Sequence, residues 1–228
     1  MLFLFDIDGT LTRGGPAKDA FQLGLEEAFG TAGPIDDHDF SGKTDPQIVR
    51  ELMTRAGKTP DEIEEHTETV WEVYLGELEL RIADDPVTVL PGVRDLVEAL
   101  DARSDVYLAL VTGNLERGAR LKLGSVGLAD FFPVGGFGSD HEVRNELPPV
   151  ALGRASDHWG RSFQGPEAVV IGDTPRDVGC GKAVGAVTVT VATGRFSMDE
   201  LVRTEPDLAL SDFADTDRTI DRVLALFP

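Results

Sequence analysis

The sequence predicts an α/β protein: a doubly wound, Rossmann-like parallel sheet with an α-helical module inserted after its first strand. Three observations predict it. Short apolar runs rich in Val, Ile and Leu alternate with amphipathic stretches, as parallel strands covered on both faces require. The alternation is broken once, over residues 13–85, where only helical patterns occur. Several apolar runs end in polar residues, where an open α/β sheet keeps its ligand site.

The first run, Leu2–Ile7, reads as a core strand. Gly14-Gly15-Pro16 and Asp84-Asp85-Pro86 then bracket the module and read as hinges. Within it, AKDAFQLGLEEAFG, DPQIVRELMTRAG and PDEIEEHTETVWEVYLGELELRIA are amphipathic. Phe21, Leu25 and Ala28 share one helical face; Ile48, Leu52 and Met53 share another. The expected division is a core of residues 1–12 and 86–228 and a helical module of residues 13–85. In PGVRDLVEALDAR, Pro91 stands near a helix start and Val93, Leu96, Val97 and Leu100 follow at helical spacing. The remaining strands are Val106–Val111, Ala168–Ile171, Val187–Val191 and Leu208–Leu210, with DVGCGKAVGA and LVRTE as helical pieces between them.

Composition narrows the function. There are 41 acidic against 21 basic residues, a formal net charge of −20, and the excess is spread along the chain. Such a surface repels nucleic acid and anionic membrane, so neither is an expected partner. No apolar run approaches the roughly 20 residues that span a bilayer, and MLFLF has neither the length nor the basic flank of a signal peptide. The expected location is the cytoplasm. A single cysteine, Cys180, excludes an internal disulfide framework. An acidic, lysine-poor surface suits a salt-rich cytoplasm, because salt screens repulsion between exposed charges. The melting temperature is therefore expected to rise with added KCl; a flat or falling response would remove the halophilic reading.

The chemistry lies at the strand ends. The first strand closes in Asp6-Ile7-Asp8-Gly9-Thr10, the second core strand in Thr112-Gly113-Asn114, and the third in Gly172-Asp173-Thr174-Pro175-Arg176-Asp177. Arg144 precedes a helix opened by Pro148-Pro149. Asp6 and Asp173 offer hard oxygen ligands that suit Mg²⁺. The metal would neutralise like charges and admit an anionic phosphate. A carboxylate can attack phosphorus to give an aspartyl-phosphate. A turn at Gly9 can swing Asp8 away from Asp6, so that it protonates the leaving oxygen and later deprotonates water. Thr112 offers a hydroxyl, Asn114 a backbone N–H and Arg144 positive charge to the phosphoryl oxygens.

DIDGTLT, VTGN and GDTPRD, in this order and spacing, resemble the haloacid dehalogenase superfamily of aspartate-nucleophile phosphatases. The resemblance covers essentially the whole chain, including LPGVRDLVEAL, and the helical module is similar to that family's α-helical cap. It implies Asp6 as nucleophile, Asp8 as acid and base, and Thr112 as phosphate ligand. It also implies Mg²⁺ held by the Asp6 carboxylate, the Asp8 carbonyl and Asp173, with Asp177 in support. The family's basic residue is commonly a lysine in a Lys-Pro-x-Pro run, yet no lysine lies between Lys122 and Lys182. Aligned helix starts give that role to Arg144, with Arg154 and Arg161 as the other candidates. A guanidinium holds carboxylate and phosphate oxygens equally well.

FSGKTDP resembles the cap loop facing the phosphate, which makes Lys43 a candidate for touching an anionic substrate group; Asp45 and Pro46 read as N-cap and first residue of the helix that follows. Arg13, at the hinge, is a second candidate. Asp36-Asp37-His38-Asp39 lacks ligand spacing and reads as a solvated acidic turn. The expected substrate is a small phosphate ester, similar to those of phosphoglycolate phosphatase-like members. A phosphomutase of the β-phosphoglucomutase type would use the same two aspartates. A 2-haloacid dehalogenase would need neither Mg²⁺ nor an acid, so Asp8 and the Asp173/Asp177 pair argue against it. A binding protein that merely keeps the fold would not need the full catalytic set.

Overall fold

Six strands form one parallel sheet in the computed structural model of the chain, which describes residues 1–227. The chain begins with β1 (Leu2–Phe5) and the short β2 (Thr12–Gly14), then runs through α1 (Ala17–Phe29), α2 (Asp45–Arg55) and α3 (Pro60–Arg81) to β3 (Val87–Val89). It continues through α4 (Val93–Asp101), β4 (Tyr107–Thr112), α5 (Glu116–Ser125), β5 (Gly135–Phe137) and α6 (Leu147–Trp159). It ends with β6 (Ala168–Gly172), α7 (Pro175–Val184), β7 (Val187–Val191), α8 (Met198–Val202), β8 (Leu208–Leu210) and α9 (Thr216–Leu224).

The order across the sheet is β5-β4-β1-β6-β7-β8, so the chain steps outward on one side of β1 and then resumes on the other. This is the doubly wound order, and its switch point lies between β1 and β6. Leu2–Phe5 pairs in parallel with Tyr107–Leu110 on one side and Ala168–Ile171 on the other. Alternation then fills both faces. Phe3, Phe5, Leu108, Leu110, Val169 and Ile171 pack beneath α4, α5 and α9. Leu2, Leu4, Ala109, Val111 and Val170 pack against α6 and α7. Asp6 therefore extends from a strand buried on both faces, a rigid mount for a reactive group.

Helices α1 to α3 enclose a core of their own around Phe21, Leu25, Leu52, Tyr74 and Leu78. β2 and β3 pair antiparallel, Thr12 opposite Val89 and Gly14 opposite Val87, so the two ends of the helical segment are stitched together. That ribbon corrects the expectation that residues 13–85 are helical throughout, because Arg13 and Gly14 belong to β2. A strand of three residues gives no periodic signal. The helix after SGKTDP is also capped differently from expectation. Thr44 is the N-cap, its hydroxyl accepting from the Gln47 amide at 3.2 Å, and the Asp45 carboxylate is free for a partner outside the helix. Among the described residues no helix is long and apolar enough to cross a membrane.

Candidate active site

A single turn after β1 sends the two aspartates in different directions. The Asp6 amide donates to the Ile171 carbonyl at 2.9 Å, which keeps Asp6 in register with β6. The Ile7 carbonyl then accepts from the amides of Thr10, Leu11 and Thr12 at 3.2, 2.8 and 2.9 Å, and the Gly9 amide donates to the Thr12 carbonyl at 2.7 Å. Gly9 sits at φ +86°, and a Cβ there would run into the Asp173 carboxylate. Both constraints call for glycine. The wound turn takes Asp8 off the strand direction and out of the acidic cluster that Asp6 enters.

That cluster is Asp6, Asp173 and Asp177, each buried and each offering a carboxylate oxygen within 4.8 Å of the others. Arg144 stands behind it, with Nη2 3.1 Å from Asp6 Oδ1 and 2.6 Å from Asp177 Oδ1. Asp177 does two jobs. Its Oδ1 accepts from Arg144, and its Oδ2 accepts from the Thr174 amide at 2.9 Å and hydroxyl at 2.7 Å, capping α7. Asp173 Oδ1 accepts from the Thr10 hydroxyl at 3.2 Å. Of the three candidate basic residues, Arg144 alone reaches the site; Arg154 pairs with Asp140 and Arg161 with Glu167.

Three buried carboxylates facing one guanidinium leave negative charge uncompensated, and the acidities respond. Burial, reinforced by Asp177 and Asp6, pushes Asp173 up to about 8. Burial raises Asp6 to about 6; Arg144 opposes the rise, while Asp177 and Asp8 add to it. A cluster of hard oxygen donors that would otherwise hold protons near neutrality fits a divalent cation of the Mg²⁺ type. Asp6, Asp173 and Asp177 are the side chains that would hold it. His38, by contrast, lies against Phe40 and beside Lys43, so the 36–39 stretch is not wholly the solvated turn expected.

Asp8 has a different environment. Lys122 Nζ lies 2.9 Å from Asp8 Oδ1 and 2.7 Å from Oδ2, and Asn114 Nδ2 donates to Oδ2 at 2.8 Å. Burial alone would raise its pKa, but Lys122 and then Asn114 outweigh it and hold the carboxyl below the usual carboxylate range. Asn114 also donates to Thr112 Oγ1 at 2.9 Å, so its side-chain amide is committed inside the site, where only its backbone N–H was expected to act. Lys122 was missed from sequence. The signal was present: on α5 it shares the buried stripe of Gly118, Ala119 and Leu123, an odd position for a lysine.

The helical segment completes the enclosure. A cavity of about 370 Å³ lies between it and the sheet, bounded on the helical side by Phe21, Phe40, Ile48 and Tyr74. Asp6, Asp8, Thr112, Gly113, Asn114, Arg144 and Asp173 face it from the sheet; Arg13 and Lys43 also line it. Lys43 is already occupied, pairing with Glu51 at 2.5 Å. The segment is clasped to the loops beyond the sheet by three hydrogen bonds, one between main-chain groups and two that pair a side chain with the main chain. The Asp45 amide donates to the Gly113 carbonyl at 2.8 Å, the Leu115 amide donates to Asp45 Oδ2 at 2.8 Å, and the Thr44 hydroxyl donates to the Glu142 carbonyl at 2.6 Å. Any Cβ at Gly113 would overlap the Lys43 carbonyl, so this approach needs glycine. Burial pushes Asp45 up to about 6, with the Leu115 N–H acting against that rise.

Known proteins share this architecture. The curated phosphoglycolate phosphatase of Synechococcus elongatus is 27% identical over 227 residues, spanning 97% of both chains. That of Rhodospirillum rubrum is 28% identical over 219 residues, covering 92% of this chain and 87% of its own. The crystal structure of a hydrolase from Pseudomonas syringae superposes with a TM-score of 0.69 at 22% identity, over 97% of this chain and 98% of that one. The family model for haloacid dehalogenase-like hydrolases matches residues 1–185, from Asp6 at the switch point through the Asp173–Asp177 loop. The chain belongs to the haloacid dehalogenase-like hydrolases.

Proposed function

We propose that the protein is a phosphomonoesterase that hydrolyses small phosphometabolites through an aspartyl-phosphate on Asp6, with Mg²⁺ bound at the Asp6–Asp173–Asp177 cluster and the Asp8 carbonyl. The observation that carries it is the separation of the two aspartates: Asp6 in an electron-rich cluster with Arg144, Asp8 on the far side in a clamp of its own. When bound, the cation neutralises the carboxylates and the phosphoryl oxygens, letting anion meet anion. The chain's own residues do the rest.

Asp6 attacks phosphorus as the bond to the ester oxygen breaks, and that oxygen takes a proton through Asp8. Asp8 is ionised at rest, and the proton it passes on can come from the phosphomonoester itself, whose second ionisation falls near pH ~6. In the second half, water attacks the phosphorus of the aspartyl-phosphate, Asp8 takes the water's proton, and the Asp6–phosphorus link breaks to release inorganic phosphate. Thr112, Gly113, Asn114 and Arg144 surround the phosphoryl oxygens, and Lys43 and Arg13 stand toward the leaving group. The helical segment over the cavity acts as a cap that excludes bulk water and selects that leaving group.

The names of the two relatives make 2-phosphoglycolate the first ester to try. The test is phosphate release from a panel of phosphometabolites that includes it, with Mg²⁺ and with EDTA. Phosphate release that requires Mg²⁺ is expected. Isomerisation of a sugar phosphate without net phosphate release would replace hydrolysis by mutase chemistry, and full activity in EDTA would remove the metal.

A further inference from the structure

We propose that Lys122 is a positioning residue for Asp8, acting with Asn114 to fix the carboxylate where the ester's leaving oxygen must sit; this rests on Asp8 being the group that serves that oxygen. Asp8 is carried on a wound loop, and 47% of its side chain is accessible from the cavity. Nothing in the loop itself anchors the carboxylate. The anchors come from two other elements.

Lys122 reaches in from α5 with a buried stem, only 4% exposed. All three of its ammonium protons have acceptors: Asp8 Oδ1 at 2.9 Å, Asp8 Oδ2 at 2.7 Å and Asn114 Oδ1 at 2.7 Å. Asn114, beyond the end of β4, answers with one amide proton to Asp8 Oδ2 and the other to Thr112 Oγ1. The network is closed at Lys122, and it ties Asp8 to the strand that presents Thr112. A carboxylate oxygen has two lone-pair directions. The clamp therefore occupies the side of Asp8 toward α5 and leaves the accessible part of the carboxylate to the cavity.

The alternative is a buried lysine that merely balances charge. A stabilising pair and a positioning pair differ in what they do to different leaving groups. An ester of an acidic phenol departs without proton assistance, whereas an alkyl alkoxide needs it, so loss of alignment at Asp8 harms only the second. In kcat/KM, which reports the first chemical step, Lys122→Met is expected to slow a simple alkyl phosphate by about 100-fold or more and p-nitrophenyl phosphate by less than about 5-fold. The same change made in Asp8→Asn should add almost nothing for the alkyl ester, because both act through one group.

Equal losses on the two esters, or losses that multiply in the double variant, would overturn the proposal. Circular dichroism and the melting temperature establish that the variant is folded. Should Lys122→Met fail to fold, Lys122→Gln, which keeps a neutral donor, carries the same comparison. The phosphatase reading is judged separately, on whether the wild-type protein releases phosphate from either ester at all.

Discussion

Asp6→Asn is expected to lose turnover of p-nitrophenyl phosphate by at least about 10⁴-fold, the scale on which removal of a nucleophile acts. An amide oxygen cannot carry the phosphoryl group, and neither Asp8 nor Asp173 can take its place. Asp8 is tied to Lys122, and Asp173 lies beyond the next strand end. The same change should leave the fold intact. Burial raises Asp6 to about 6, against the pull of Arg144, so its ionised form costs stability at neutral pH and Asn removes that cost. Arg144 would keep Asp177 at 2.6 Å as its ion-pair partner. The expected result is a dead enzyme whose melting temperature at pH 7–8 is no lower than wild type. Turnover at the wild-type level would sink the nucleophile assignment. Lost activity with a collapsed melting curve would make Asp6 a structural residue instead.

The strong features of the fold were legible because each carried a redundant signal. Leu2–Phe5 and Leu208–Leu210 are apolar runs, Val187–Val191 alternates valine with the β-branched threonine, and α1, α2 and α3 are long enough for periodicity to register. β5 was not legible. Two of its three residues, Gly135 and Gly136, carry no side chain, because Leu110 and the Leu147 backbone crowd the places where their Cβ atoms would stand. Close packing removed the very side chains that pattern reading uses. The site divides in the same way. Asp6, Asp8, Thr112 and Asp173 stand at strand ends, where topology brings them together without any contact having to be known. Lys122 arrives from the middle of a helix, and only its place on a buried stripe gave it away. The Asp45 clasp was hidden by a plausible local role as helix cap, a role that Thr44 fills.

Asp173 should make stability and metal binding depend on pH in opposite directions. Its carboxyl is raised to about 8 in the metal-free fold, chiefly by burial and then by Asp177 and Asp6. An unfolded aspartate titrates near ~4. Between these values the folded chain holds a proton that the unfolded chain has released, so stability falls as pH rises from about 4 to about 8. The penalty is absent at the acid end and complete above pH ~8. Asp173→Asn carries no such proton. In EDTA it should match wild type only near pH ~4 and melt several degrees higher at pH 8, since about 1 kcal/mol moves a chain of this length by roughly 2–4 °C. Comparing the two proteins cancels the general repulsion of a chain with net charge −20. A cation competes with that proton, so the Mg²⁺-induced rise in melting temperature of the wild-type protein should grow from pH 5.5 to pH 8 and vanish in Asp173→Asn. Parallel metal-free pH profiles for the two proteins would show that Asp173 is ionised without a metal. An Mg²⁺ shift that survives in Asp173→Asn would move the metal away from this cluster.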